Sequence, residues 1–178
     1  VFLCLFSFYA AAQQTDFKFY LGSGKFPKGY LPITPSSVFS ETTGYGIDLG
    51  SEAGILGGAK RRNITSSKPF FFSVNVPEGN YKVTLTIDDT KNAGDLTVKA
   101  ESRRLMLEKI MTKPREIVTK SFIVNIRKPE IATGGKVSLK GREFDKLDWD
   151  NKLTLEFNGE KPSVAKIEIS KVEDQITD

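Results

Sequence analysis

The sequence predicts an all-β protein, an antiparallel β-sandwich of jelly-roll type, on three observations. From Pro69 onward apolar and polar residues alternate with a period of two. Turn-forming Gly, Pro, Asn and Asp recur about every 8–12 residues. No stretch carries an apolar stripe of period 3.6 over three turns of helix.

Taken in order, the first strand is expected at Phe17 to Leu21, where apolar residues alternate weakly with Lys18. The segment 22–68 follows, holding most of the fifteen glycines together with many Ser, Thr and Pro. It reads as long loops with short strands, a composition that on a rigid scaffold often carries contacts. Phe70, Phe72, Val74 and Val76 then face one way. Residues 77–80 (PEGN) form a turn, because Pro presets φ and Gly tolerates positive φ. Tyr81, Val83, Leu85 and Ile87 alternate with Lys82, Thr84, Thr86 and Asp88, the pattern of a half-buried strand. Leu96, Val98 and Ala100 repeat it. Further strands are expected over 104–109, 116–127, 136–140, 152–158 and 164–172, with Leu153, Leu155, Phe157, Ala165, Ile167 and Ile169 inward. Residues 158–162 (NGEKP) read as a hairpin-like turn between the last two.

Length and composition bound the function. At 178 residues, one domain is expected, and folding at this size buries roughly 70% of the unfolded chain's surface. The net charge of +4 is too mild for a protein that coats phosphates, and Lys60, Arg61 and Arg62 make the sole basic run, read as a solvated loop; no nucleic-acid partner is expected. There is no histidine. Ser-His-Asp and Cys-His pairs need an imidazole as base, and the commonest zinc sites use one as ligand, so this chain assembles neither by itself.

Residues 1–12 (VFLCLFSFYAAA) are apolar and uncharged and turn polar at Gln13. An apolar run ending in Ala10-x-Ala12 reads as the remnant of a secretory signal, too short to span a bilayer. The expectation is an exported protein, secreted or periplasmic, with no membrane span. Cys4, the one cysteine, falls within that segment, so the mature chain would carry no disulfide.

Several residues could carry chemistry. Gly22 to Lys25 (GSGK) lacks the spacing and the following helix of a phosphate loop and reads as a turn. Asp145, Asp148, Asp150 and Asn151 surround Trp149 with oxygens of the kind calcium takes. Without the EF-hand glycine and closing glutamate, no specific motif supports a cation, and the cluster reads first as a solvated turn with a structural calcium left open. Trp149, the single tryptophan, with Tyr30 and Tyr45, could stack on the CH-rich face of a sugar, or could serve packing. Arg103 and Arg104 could hold a carboxylate in a bidentate grip, such as a uronic-acid polymer offers, or pair internally. Asp88, Asp89 and Asp95 are ordinary turn residues rather than a paired-carboxylate site.

Five blocks together support a family resemblance. They are Leu21 to Gly24 (LGSG) with Gly29 and Tyr30, Gly44 to Gly50 (GYGIDLG), Pro77 to Thr84 (PEGNYKVT), Val98 to Leu107 (VKAESRRLML) and Leu147 to Gly159 (LDWDNKLTLEFNG). They resemble the N-terminal, galactose-binding-like β-sandwich of bacterial rhamnogalacturonan acetylesterases, members of the SGNH/GDSL hydrolase superfamily. In that family the sandwich leads into a hydrolase whose first strand carries a Gly-Asp-Ser nucleophile block. Here 172–177 (VEDQIT) resembles the approach to that strand, and neither the block nor a catalytic histidine is present. The resemblance implies three parts: 1–12 as signal remnant, 13–174 as a non-catalytic accessory sandwich, and 175–178 as a linker or the start of the hydrolase. It implies a parent esterase acting on pectin, with that hydrolase domain and plant cell-wall polysaccharide as partners. A free-standing carbohydrate-binding module is the alternative. No catalytic residue and no cofactor carries over; Tyr30, Tyr45, Arg103, Arg104 and Trp149 are the candidate ligand contacts.

Overall fold

The computed structural model describes residues 14–22, 25–56, 63–88, 93–101, 103–131, 133–141 and 147–173. The signal-like segment 1–12, the basic run Lys60 to Arg62, Asp89, Asp145 and the residues 175–178 lie outside the described residues. In chain order the strands are β1 (Phe17–Leu21), β2 (Leu31–Ile33), β3 (Tyr45–Asp48), β4 (Ile55–Leu56), β5 (Ile64–Ser66), β6 (Phe70–Asn75) and β7 (Gly79–Asp88). They continue as β8 (Gly94–Ala100), β9 (Arg104–Thr112), β10 (Ile117–Ile126), β11 (Lys152–Asn158), β12 (Ser163–Val164) and β13 (Lys166–Val172). A 3-10 turn, Ser51–Gly54, precedes β4.

Two five-stranded sheets, ordered β10-β7-β13-β1-β2 and β3-β6-β11-β8-β9, make the all-β sandwich, and a small β12-β5-β4 sheet accompanies them. Alternation explains why they face each other. Phe70, Phe72 and Val74 of β6, Tyr81, Val83, Leu85 and Ile87 of β7, and Leu153, Leu155 and Phe157 of β11 are all buried in one core. Phe19 joins the sheets: its ring lies 4.9 Å edge-on from Phe72 and 5.1 Å from Tyr45. The turn before β7 is tied by the Tyr81 hydroxyl, which donates to the Pro77 carbonyl at 2.7 Å.

Four features depart from the sequence reading. β1 and β2 pair in parallel, which the short Gly-rich connection did not suggest. Residues 136–140 form no strand, although Val137 and Leu139 alternate with polar residues; an isolated bridge links Lys136 to Glu130, and Val137 stays 37% exposed. The run 164–172 is broken at Ala165 into β12 and β13, which belong to different sheets. The turn over 158–162 is therefore no hairpin: β11 pairs with β6 and β8, whereas β13 pairs with β7 and β1, so the chain crosses between layers there.

That crossover depends on Gly159, whose φ is +143°. A Cβ at this position would sit 2.3 Å from the Asp95 carbonyl oxygen, inside contact distance of rigid backbone. Gly159→Ala is expected to destabilise the fold by about 2 kcal/mol or more, read as a lower midpoint of urea unfolding; a change within error would show that the loop re-routes freely.

Candidate functional site

Three stretches converge at one end of the sandwich, and strand direction explains why. β8 ends at Ala100 and β9 starts at Arg104. β11 runs antiparallel to β8, so residues 147–151, just before it, lie at that same end. β6 reaches this end at Asn75, β7 leaves it at Gly79, and β10, antiparallel to β7, returns to it at Ile126. Glu101, Arg104, Asn125, Arg127, Asp148 and Trp149 line a cavity of about 110 Å³ there.

The backbone at this end is unusual. Glu101, Arg103 and Trp149 hold φ values of 54°, 67° and 68°, the left-handed region that side chains with a Cβ seldom occupy. Such conformations cost about 1–3 kcal/mol each and persist where surrounding contacts enforce them. Here the β8–β9 turn is closed by the Arg103 amide donating to the Glu101 carbonyl at 2.7 Å. The Glu101 amide donates to the Thr154 carbonyl at 2.9 Å, and the Thr154 amide donates to Glu101 Oε1 at 3.0 Å, so β11 clamps the turn from the side.

Electrostatics set the protonation of this cluster. Glu101 is 6% exposed, and burial pushes its carboxyl up to about 8 against the opposing pull of the Thr154 amide; Asp150 and Asp148 add to the rise, and Arg104 offsets part of it. Burial likewise raises Asp150, opposed by its hydrogen bond from the Lys152 amide at 2.8 Å. Asp148 Oδ1 is buried without a hydrogen-bond partner among the described residues. At neutral pH Glu101 is therefore largely a neutral acid able to donate, beside the guanidinium donors of Arg104 and Arg127, the Asn125 amide and the Trp149 ring. Such a set suits an oxygen-rich ligand. The volume is below the roughly 300–1,000 Å³ usual for a whole small ligand, so the cavity fits an edge or substituent.

Of the residues singled out by sequence, Arg104, Asp148 and Trp149 meet in this cavity. Arg103 sits in the turn and is exposed, outside the lining. Tyr45 is a packing residue, its ring against Phe19. Tyr30 lies elsewhere, on the outer side of the first sheet: its hydroxyl donates to Glu168, and the ammonium groups of Lys18 and Lys166 stand 6.0 and 5.4 Å from its ring centre. Sequence reasoning missed Glu101, Asn125 and Arg127. Asn125 and Arg127 end an alternating strand on one face, a usable signal; the burial of Glu101 follows from its left-handed turn and had none.

Among the described residues no group of three acidic, His or Cys side chains is arranged to hold a metal ion. Asp145, part of the oxygen-rich run, lies outside them. Asp88 and Asp95, read from sequence as turn residues, lie within β7 and β8 and serve structure: Asp88 is buried, and Asp95 Oδ1 accepts the Glu160 amide at 3.0 Å. Among the described residues no helix is long and apolar enough to cross a membrane.

No family model and no curated protein matches this sequence. Solved structures do match in fold. The protein YXIM of Bacillus subtilis is similar over 90% of this chain and 41% of its own, with a TM-score of 0.62 at 18% identity. A Bacteroides uniformis β-glucuronidase is similar over 89% of this chain and 18% of its own (TM-score 0.55, 10% identity). The ANX2 ectodomain of Arabidopsis thaliana is similar over 89% of this chain and 50% of its own (TM-score 0.53, 10% identity). At these identities the likeness concerns the β-rich fold alone, and the chain spans half or less of each of these three neighbours.

Proposed function

We propose that this chain is a non-catalytic, carbohydrate-binding accessory domain of an exported carbohydrate-active protein, of the kind found beside an SGNH-type acetylesterase acting on pectin. The observation that carries the reading is the end cavity, where Trp149 and the Arg104 and Arg127 guanidinium groups surround the buried Glu101 carboxyl. Planar guanidinium groups suit carboxylates and sugar hydroxyls alike, and a fixed indole suits a sugar's apolar face. The lack of histidine supports binding over acyl transfer by this chain.

Calorimetry with pectic oligosaccharides tests it. Arg104→Ala and Trp149→Ala are each expected to weaken binding by about tenfold or more, equivalent to about 1.4 kcal/mol. An intact domain that gives no heat with these ligands, or binds them unchanged in both variants, removes the reading.

A bracing role beside a hydrolase domain has its own support. β9 and β10 are edge strands of opposite sheets, and Leu105, Met111 and Ile117 on them are 52%, 63% and 65% exposed. Apolar side chains left open along such an edge suit a neighbouring domain of the same polypeptide.

A further inference from the structure

The outer face of the sheet β10-β7-β13-β1-β2 carries two grooves of about 500 and 520 Å³, each of ligand size. Register fixes their floor. Lys82 stands opposite Ser170, Thr84 opposite Glu168, and Thr86 opposite Lys166; on the far side of β13, Glu168 and Lys166 face Lys18 and Tyr20. These residues alternate with the buried Phe19, Val83, Leu85, Ile167 and Ile169, so they point away from the core. From Lys82 to Asp88 the floor extends about 20 Å. The segment 25–31 walls one side, with Phe26 and Pro27 beside one groove and Gly29 and Leu31 beside the other.

Three cations on this face, Lys18, Lys82 and Lys166, have no carboxylate within ion-pair distance among the described residues. Three carboxylates also line the grooves: Glu168, which accepts the Tyr30 hydroxyl, Asp16, which accepts the Thr15 hydroxyl at 2.9 Å, and Asp88, which is buried; with Lys25 at the wall, the lining cations outnumber them. Tyr30 also steadies two of the cations, since Lys18 and Lys166 rest against its ring. Strand spacing sets the three lysine backbones on the order of 8–14 Å apart. Between them runs a row of hydroxyls, Thr84 with its partner Ser121 at 2.9 Å, then Thr86. Phosphate-rich nucleic acid calls for a denser array of cations, and a protein partner for a broader apolar patch.

We propose that this sheet face is a second glycan-binding surface, which takes an extended acidic polysaccharide with carboxylates on Lys18, Lys82 and Lys166 and hydroxyls on the Thr84–Thr86 row. It shares no residue with the end cavity, so each stands or falls alone.

The test is a titration of the isotope-labelled full chain with hexagalacturonate, followed by amide chemical shifts and calorimetry at low salt. Shifts are expected along β7, β13 and β1 around Thr84, Lys166 and Lys18. Full methyl esterification of the oligomer, or the combined Lys18→Ala, Lys82→Ala and Lys166→Ala substitutions, is expected to weaken this binding by about tenfold or more. Lys82→Ala alone, an exposed change, is expected to weaken it about threefold should the triple variant fail to fold. Shifts confined to residues 101–104, 125–127 and 147–150 would overturn the proposal and leave the end cavity standing. Equal binding of the ester, undiminished binding by the variants, equally tight binding of polyglutamate, or no binding at all would overturn it as well.

Discussion

Replacing Phe19 with alanine is expected to destabilise the domain by about 3–5 kcal/mol, a large share of the roughly 5–15 kcal/mol that holds a domain together. Phe19 is fully buried, and its ring bridges the two sheets through Phe72 and Tyr45, with Phe17 stacked 5.6 Å away on the same strand. Truncation opens a cavity bounded by strands of both layers, which cannot close without shifting one sheet on the other. Urea unfolding should show a lower midpoint at an unchanged slope. Phe26→Ala is the control: Phe26 is 43% exposed and should move the midpoint little. A loss at Phe19 no larger than at Phe26 would mean that the sheets are not coupled through this ring.

The second large effect concerns pH. The Glu101 carboxyl rises from an ordinary value of 4.5 to about 8 in the folded chain, chiefly through burial. Between those values the folded state binds a proton that the unfolded state has lost, so this group's contribution is fully present below about 4.5 and disappears as pH climbs through about 8. At about 1.4 kcal/mol per unit, the change across the window is on the order of 5 kcal/mol. Glu101→Gln keeps the oxygen that accepts the Thr154 amide and removes the ionisation. The variant is expected to be more stable than the parent at pH 9, with little difference at pH 5, measured as thermal midpoints. Parallel pH profiles for the two proteins would show that Glu101 ionises normally where it sits.

The sandwich was legible in the sequence wherever a strand buries one face. Phe70, Phe72 and Val74, or Leu153, Leu155 and Phe157, announce their inward side by alternation alone. What alternation cannot carry is partner choice. β11 and β13 are separated by a turn-rich segment that suits a hairpin, and only their partners, β6 and β8 for one and β7 and β1 for the other, reveal a crossover between layers. The break at Ala165 was hidden because Val164, Ala165 and Ile167 are all buried and the apolar run continues through it. In the end cavity, Trp149 and Arg104 stood out by residue type. Asn125 and Arg127 did not, because their place beside the β8–β9 turn depends on β10 and β9 closing the same open side of two different sheets.

The place of β13 in its sheet bears on how the chain comes to be made. β13, the last of the described strands, lies between β7 and β1, with Ile169 paired to Phe17 across most of the described chain. During synthesis β1 emerges long before β13 and waits, the edge that β13 will pair and its phenylalanines unprotected, until β13 has left the ribosome. Loop closure over such a separation is slow, and uncovered edges in the interval invite the wrong neighbour. A nascent chain of this kind depends on holding β1 apart from other β-rich segments until β13 arrives, and an early stop before Lys166 would remove the central strand of one layer rather than trim a margin.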